Sequence, residues 1–250
     1  MVWGGSAAGQ ESGDDAELDP VVIVHGAWGG IHHWRPVADS IEAKTSRRVV
    51  RAELTGLGTR RHLLSRDIRL DTHVEDVVQR IEVEDLRNVC LIAHSYGGAV
   101  ATGVIDRIGD RIDRVLFLDA LVPNHGETAI DLRPGLKDKF FKQATEGGEG
   151  WYLPVAWQND HLDTPHPLAT LTQPIRLTNG GRQNARGTFW LFTDGADVDQ
   201  DERLAAMQRA VGEKMTVAAF DWDHNPHRSS PGELVDAIVD WLATTDRRDP

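Results

Sequence analysis

The chain has 250 residues, 40% of them hydrophobic, with 24 glycines; that is enough apolar material for one well-buried core with a modest insertion, and it excludes disorder of the whole chain. A formal net charge of −12 repels phosphate backbones at long range, which argues against a nucleic-acid partner. The single cysteine, Cys90, allows no internal disulfide, and no apolar run approaches membrane-spanning length.

In chain order, residues 1–19 are rich in Gly, Ala and acids and lack the basic start and apolar segment of a signal peptide. They read as a flexible tail on a cytoplasmic protein. Domain boundaries are expected at 20–246. Short continuous apolar runs follow at Val21 to Val24, Val49 to Leu54, Val89 to Ala93, Val115 to Leu118, Phe189 to Phe192 and Val217 to Phe220. Runs of this kind read as parallel strands buried on both faces. Between the second and third, Val74, Val77, Val78 and Ile81 fall at i, i+3, i+4 and i+7, with Asp71 and Thr72 available as N-caps. Leu234, Ala237, Ile238, Trp241 and Leu242 repeat that spacing at the end. The alternation predicts an α/β, doubly wound, mostly parallel sheet of about six strands flanked by helices, with its site at the strand C-termini.

The segment at about 124–187 breaks the rhythm with prolines, glycines and the aromatics Phe140, Phe141, Trp151, Tyr152 and Trp157. An insertion after the strand ending at Asp119 would stand over the active edge of the sheet, so it reads as a helical lid rather than a surface decoration.

The run Val89-Cys90-Leu91-Ile92-Ala93-His94-Ser95-Tyr96-Gly97-Gly98-Ala99-Val100 carries the chemistry. An apolar strand narrows to small residues around one serine and resumes as an apolar helix, the pattern of a nucleophile elbow. A serine hydroxyl is a weak nucleophile, so it must be pushed up from a tight turn beside a base, with backbone N–H groups facing the substrate. Ala93 replaces the first glycine of G-x-S-x-G, adding one methyl group. Upstream, Val21 to Val24 runs into His25-Gly26-Ala27-Trp28, the position from which α/β-hydrolases supply a second oxyanion donor; downstream, His224 follows the last strand. These features predict an α/β-hydrolase fold with Ser95 as nucleophile and the N–H groups of Ala27 and Tyr96 as the oxyanion hole.

Of eleven histidines, His62, His73, His125, His161 and His166 fall in loops, caps or the lid, and His94 is expected to point away from its neighbour Ser95. Only His224 and His227 follow the last strand. The acid is expected after Phe189 to Phe192, where Asp194, Asp197, Asp199 and Asp201 compete, three of them as a solvated acidic loop. No histidine spacing suits a metal, and no cofactor is required.

With Leu54-Thr55-Gly56-Leu57-Gly58, Leu70-Asp71-Thr72-His73, Leu118-Asp119-Ala120-Leu121-Val122-Pro123 and Pro167-Leu168-Ala169-Thr170-Leu171-Thr172-Gln173-Pro174 added to the elbow and the His25-Gly26-Ala27-Trp28 loop, the chain resembles small bacterial serine esterases related to plant methylesterases and hydroxynitrile lyases. The resemblance spans about Pro20 to Leu242. It implies His224 as base, since His227 falls where relatives carry methionine, and Asp197 as acid by its spacing to Leu204 and His224, with Asp194 as runner-up. It also implies that Asp119 is structural or pocket-lining. The expected reaction is hydrolysis of a small carboxylic ester or lactone, with Trp28, Trp151 and Trp157 lining the substrate pocket. A hydroxynitrile-lyase-like activity and a small-molecule receptor are the alternatives; the lyases have threonine and lysine where this chain has Gly26 and Asn225. The expected partner is a small-molecule ester or lactone, with no membrane association and a homodimer left open.

Overall fold

The computed structural model describes residues 18–155, 161–180, 185–194, 205–206, 208–209 and 214–244. Six parallel strands form the main sheet: β1 (Val21–Val24), β2 (Val49–Ala52), β3 (Val89–His94), β4 (Ile112–Leu118), β7 (Arg186–Phe192) and β8 (Thr216–Phe220), in the order β2-β1-β3-β4-β7-β8. Every residue of β1 and of β3 is buried, as expected of central strands covered on both faces. Helices α2 (Leu70–Val83) and α3 (Gly97–Ile108) cover one face; α1 (Arg35–Thr45) and the C-terminal α7 (Pro231–Thr244) cover the other. The expected stripe of Val74, Val77, Val78 and Ile81 is the buried face of α2. Its expected caps are displaced: the helix begins at Leu70, Asp71 lies in the first turn, and Thr72 turns back to accept the Arg69 N–H at 3.2 Å.

All six apolar runs are strands, yet β4 starts three residues before its predicted apolar run. Arg114 hides that start. It is 2% exposed, its Nε donates to Cys90 Sγ at 3.0 Å, its Nη2 donates to the Leu242 carbonyl at 3.3 Å, and its guanidinium lies 4.6 Å from the Trp241 ring centroid. A buried cation in a strand is invisible to an apolar pattern, because its partners come from another strand and from the last helix. Cys90 is fully buried, as its position in a central strand requires, and burial pushes its thiol pKa up.

Between β4 and β7 the insertion holds α4 (Pro134–Gly147), a two-residue antiparallel pair of β5 (Tyr152–Leu153) and β6 (His166–Pro167), and α5 (Leu168–Thr172). It packs on the loop after β1: the Trp28 carbonyl accepts from Thr164 N–H at 2.8 Å, and the Trp28 ring meets Phe140 edge-on at 5.7 Å. A short helix α6 (Pro226–Ser229) follows the loop after β8. None of the described helices is long and apolar enough to cross a membrane.

Candidate active site

The turn from β3 to α3 puts Ser95 at φ 53, a left-handed conformation that costs a residue other than glycine about 1–2 kcal/mol. The surroundings hold it there. Ser95 N–H donates to the Leu118 carbonyl at 3.1 Å, and its own carbonyl accepts from Gly98 at 3.0 Å and Leu121 at 2.9 Å. Gly97 is required by close approach: a Cβ there would lie 2.6 Å from the Val24 carbonyl oxygen and 2.8 Å from that of His25. The Ala93 methyl, by contrast, is accommodated inside β3, fully buried and paired with Val24 and Phe117.

His224 arrives from the loop after β8 and meets the serine. Its Nε2 lies 2.9 Å from Ser95 Oγ, and its Nδ1 lies 2.6 Å from Asp119 Oδ2. An ionised carboxylate only accepts, so Nδ1 carries the proton and Nε2 is left to accept from the serine hydroxyl. Burial alone would raise the Asp119 carboxyl, but the hydrogen bond and charge of His224, with Arg133 and His94 nearby, hold it below the usual carboxylate range. Asp119 is 3% exposed, stands at φ 42 just past the end of β4, and donates its N–H to the Trp190 carbonyl at 2.8 Å.

The carboxylate that meets His224 among the described residues is Asp119, which the resemblance had implied to be structural or pocket-lining. The one N–H on His224 Nδ1 is taken by Asp119, whose strand β4 neighbours the serine's strand β3. Asp197 lies outside the described residues. Asp194, the runner-up, is exposed, and its N–H donates to the Trp222 carbonyl at 3.0 Å. The signal for Asp119 was present in the sequence as a carboxylate directly after an apolar strand, at the same sheet edge as Ser95.

His227 is turned away, stacked on the buried Trp34 at 4.5 Å between centroids. His94 does more than point away from Ser95: its Nε2–H donates to the His224 carbonyl at 2.7 Å and so ties the two loops together. Tyr96 follows Ser95 in the turn, and a Cβ on Gly26, the residue before Ala27, would lie 3.1 Å from Ser95 Cβ, so both backbone segments run close to the serine. Trp28, the residue after Ala27, is buried, with φ 60. The Trp151 ring packs on Tyr152 at 4.8 Å between centroids and lies 5.9 Å from the Arg66 guanidinium. Trp157 lies outside the described residues.

Five histidines around the site are buried in the neutral form. Burial pushes His25 down to about 3, His73 to about 4 and His94 to about 3, and lowers His166 and His227 well below the ordinary 6.5. Unfolding frees each of them to bind a proton once the pH is below 6.5, so the unfolded state gains protons that the folded state refuses. Stability accordingly falls as pH drops from about 6.5 toward 4, by up to about 1.4 kcal/mol per pH unit for each histidine. Urea midpoints measured at pH 7.5, 6.5 and 5.5 are expected to decrease steeply over the last interval. Equal midpoints would show that these imidazoles are charged in the fold.

The sequence pattern of the alpha/beta hydrolase family matches residues 21–237. A carbendazim hydrolyzing esterase from Nocardioides sp. (strain SG-4G) is 34% identical over 239 residues, covering 87% of this chain and 97% of that protein. Methylesterase 10 of Arabidopsis thaliana is 26% identical over 133 residues, covering 52% of this chain and 46% of that one. An extracellular alpha/beta-hydrolase from a Paenibacillus species, described as sharing structural and functional homology with tobacco salicylic acid binding protein 2, superposes with a TM-score of 0.77 at 21% identity, over 88% of this chain and 98% of its own. The chain belongs to the alpha/beta hydrolase family. Within it, this chain is an esterase-type member.

Proposed function

We propose that this protein hydrolyses a small carboxylic ester or lactone through an acyl-serine intermediate. The observation that carries the reading is the unbroken line from Ser95 Oγ to His224 Nε2 at 2.9 Å and from His224 Nδ1 to Asp119 Oδ2 at 2.6 Å. Ser95 Oγ attacks the ester carbonyl while His224 takes its proton. The oxyanion that forms is held by the N–H groups of Ala27 and Tyr96. Collapse expels the alcohol, which leaves with the proton from His224. Water then repeats the sequence in reverse order of groups: His224 removes its proton, hydroxide adds to the acyl carbon, and the acid departs as Ser95 recovers its hydrogen. Asp119 keeps Nδ1 protonated and stabilises the imidazolium in both halves. No cofactor enters any step.

The insertion that packs on Trp28 acts as the lid shaping the acyl or alcohol side of the pocket, and the substrate is a small neutral or aromatic ester rather than a nucleic acid or lipid surface. The test uses short-chain p-nitrophenyl esters, a lactone panel and carbendazim, the compound named for the Nocardioides relative. Turnover of at least one of these with labelling by a fluorophosphonate is expected. Ligand binding with neither labelling nor turnover would make the protein a receptor instead.

A further inference from the structure

Beneath the oxyanion loop a chain of buried polar groups runs from the sheet edge into the insertion. His73 Nε2 meets the Thr55 carbonyl at 2.9 Å, and because a carbonyl only accepts, that nitrogen carries the proton and Nδ1 accepts from Tyr96 O–H at 2.9 Å. At the other end, Trp28 N–H donates to His166 Nδ1 at 3.4 Å, which puts the remaining proton of His166 on Nε2, facing Thr170 Oγ1 at 2.7 Å. Thr170 in turn donates to the Pro167 carbonyl at 2.8 Å. The His166 ring is fully buried and lies edge-on to Tyr96 at 4.9 Å between centroids. Both oxyanion residues therefore touch one imidazole: Tyr96 through its ring, and Ala27 through the peptide that joins it to Trp28.

That peptide needs holding. Trp28 is in the left-handed region at φ 60, where an L side chain is strained. The peptide between Ala27 and Trp28 is fixed at both ends, its carbonyl by Gly29 N–H at 2.7 Å and its N–H by His166. The Trp28 carbonyl is fixed separately, by Thr164 N–H at 2.8 Å and Thr164 Oγ1 at 3.1 Å. We propose that His166, from the insertion, is a positioning residue for the oxyanion hole: it locks the Ala27–Trp28 peptide and braces Tyr96, so that the two backbone donors converge on one point above Ser95. The inference rests on the ester-hydrolase reading. Burial keeps the imidazole neutral, and a neutral ring is what this arrangement requires, since a second proton would displace the Trp28 N–H from Nδ1.

The test is a set of three variants assayed on the best ester of the panel. His166→Ala is expected to lower kcat about 10- to 100-fold while KM moves less than about threefold, because a donor misplaced by a fraction of an ångström is missed only in the transition state. His166→Asn puts an amide oxygen where Nδ1 was and is expected to restore most of kcat, whereas His166→Gln, which reaches only the Nε2 position, is not. Affinity for a trifluoromethyl ketone, which forms an oxyanion in the same hole, should fall and recover in step with kcat. A loss of thermal stability with unchanged ketone affinity and unchanged kcat per folded molecule would overturn the proposal, as would equal behaviour of the Asn and Gln variants should the Ala variant not fold. Wild type that neither turns over any ester nor reacts with a fluorophosphonate would instead remove the ester-hydrolase reading, and this inference with it.

Discussion

Ser95→Ala is expected to lower kcat on the best ester by about six orders of magnitude, His224→Ala about as far, and the double variant scarcely further, because nucleophile and base act as one unit. The non-additivity is the informative part. Without the hydroxyl, His224 has nothing to deprotonate; without the imidazole, Ser95 keeps its proton at neutral pH and attacks weakly. The residual rate should be that of bound water at a carbonyl still polarised by the Ala27 and Tyr96 N–H groups. Neither substitution should unfold the chain. An alanine methyl occupies the volume of the serine Cβ at the same φ of 53, and the bond from His94 reaches the backbone carbonyl of residue 224 rather than its side chain. Steady-state rates with thermal melts on all three variants check this. Rates for the double variant that equal the product of the two single losses would mean that the residues do not work together.

Asp119→Asn is expected to lower kcat about 10⁴-fold near neutral pH with little change in KM, while Asp197→Asn changes it by no more than a few-fold. The carboxylate at 2.6 Å from Nδ1 selects the tautomer in which Nε2 faces the serine without a proton. An amide presents an N–H as readily as a carbonyl, so the imidazole can turn to the opposite tautomer and the serine loses its acceptor. The acid also reports on folding. Its carboxyl is held below the usual carboxylate range in the folded chain, so its contribution to stability is present above the unfolded value near 3.9 and is lost only as pH falls through the folded one. The histidine effect begins near pH 6.5 and runs on down to about 3, so the loss between pH 6.5 and about 4 reports the histidines alone and Asp119 adds to it only below that. A collapse of activity in the Asp197 variant with an active Asp119 variant would move the acid to the loop after β7.

The parts of this molecule that were legible in its sequence are those whose causes are local. Six apolar runs bounded by turns became six strands, and the elbow was readable because a serine between Ala93 and Gly97 leaves no room for anything but a crowded strand-to-helix turn. His224 could be picked out because it follows the last strand. The carboxylate that meets His224 could not be found by counting residues. Spacing to His224 favoured Asp197, but which carboxylate reaches an imidazole depends on which strand lies next to β3, and on a left-handed residue at the end of β4. The early residues of β4 were obscured by Arg114, a cation whose partners come from β3 and α7. His166 was set aside as one more histidine of the insertion. No local pattern marks it, since Trp28, Thr170 and Tyr96 gather around it only after the chain has folded.

The central claim is that the hydroxyl of Ser95 is the group that bonds to substrate. Incubation of the wild-type protein with a fluorophosphonate, followed by digestion and mass spectrometry, tests it most directly. One adduct per chain is expected, on the peptide carrying His94-Ser95-Tyr96, absent from Ser95→Ala and formed far more slowly in His224→Ala and Asp119→Asn. Full esterase activity in a protein unlabelled at Ser95, or a stoichiometric adduct on a different hydroxyl, would contradict it.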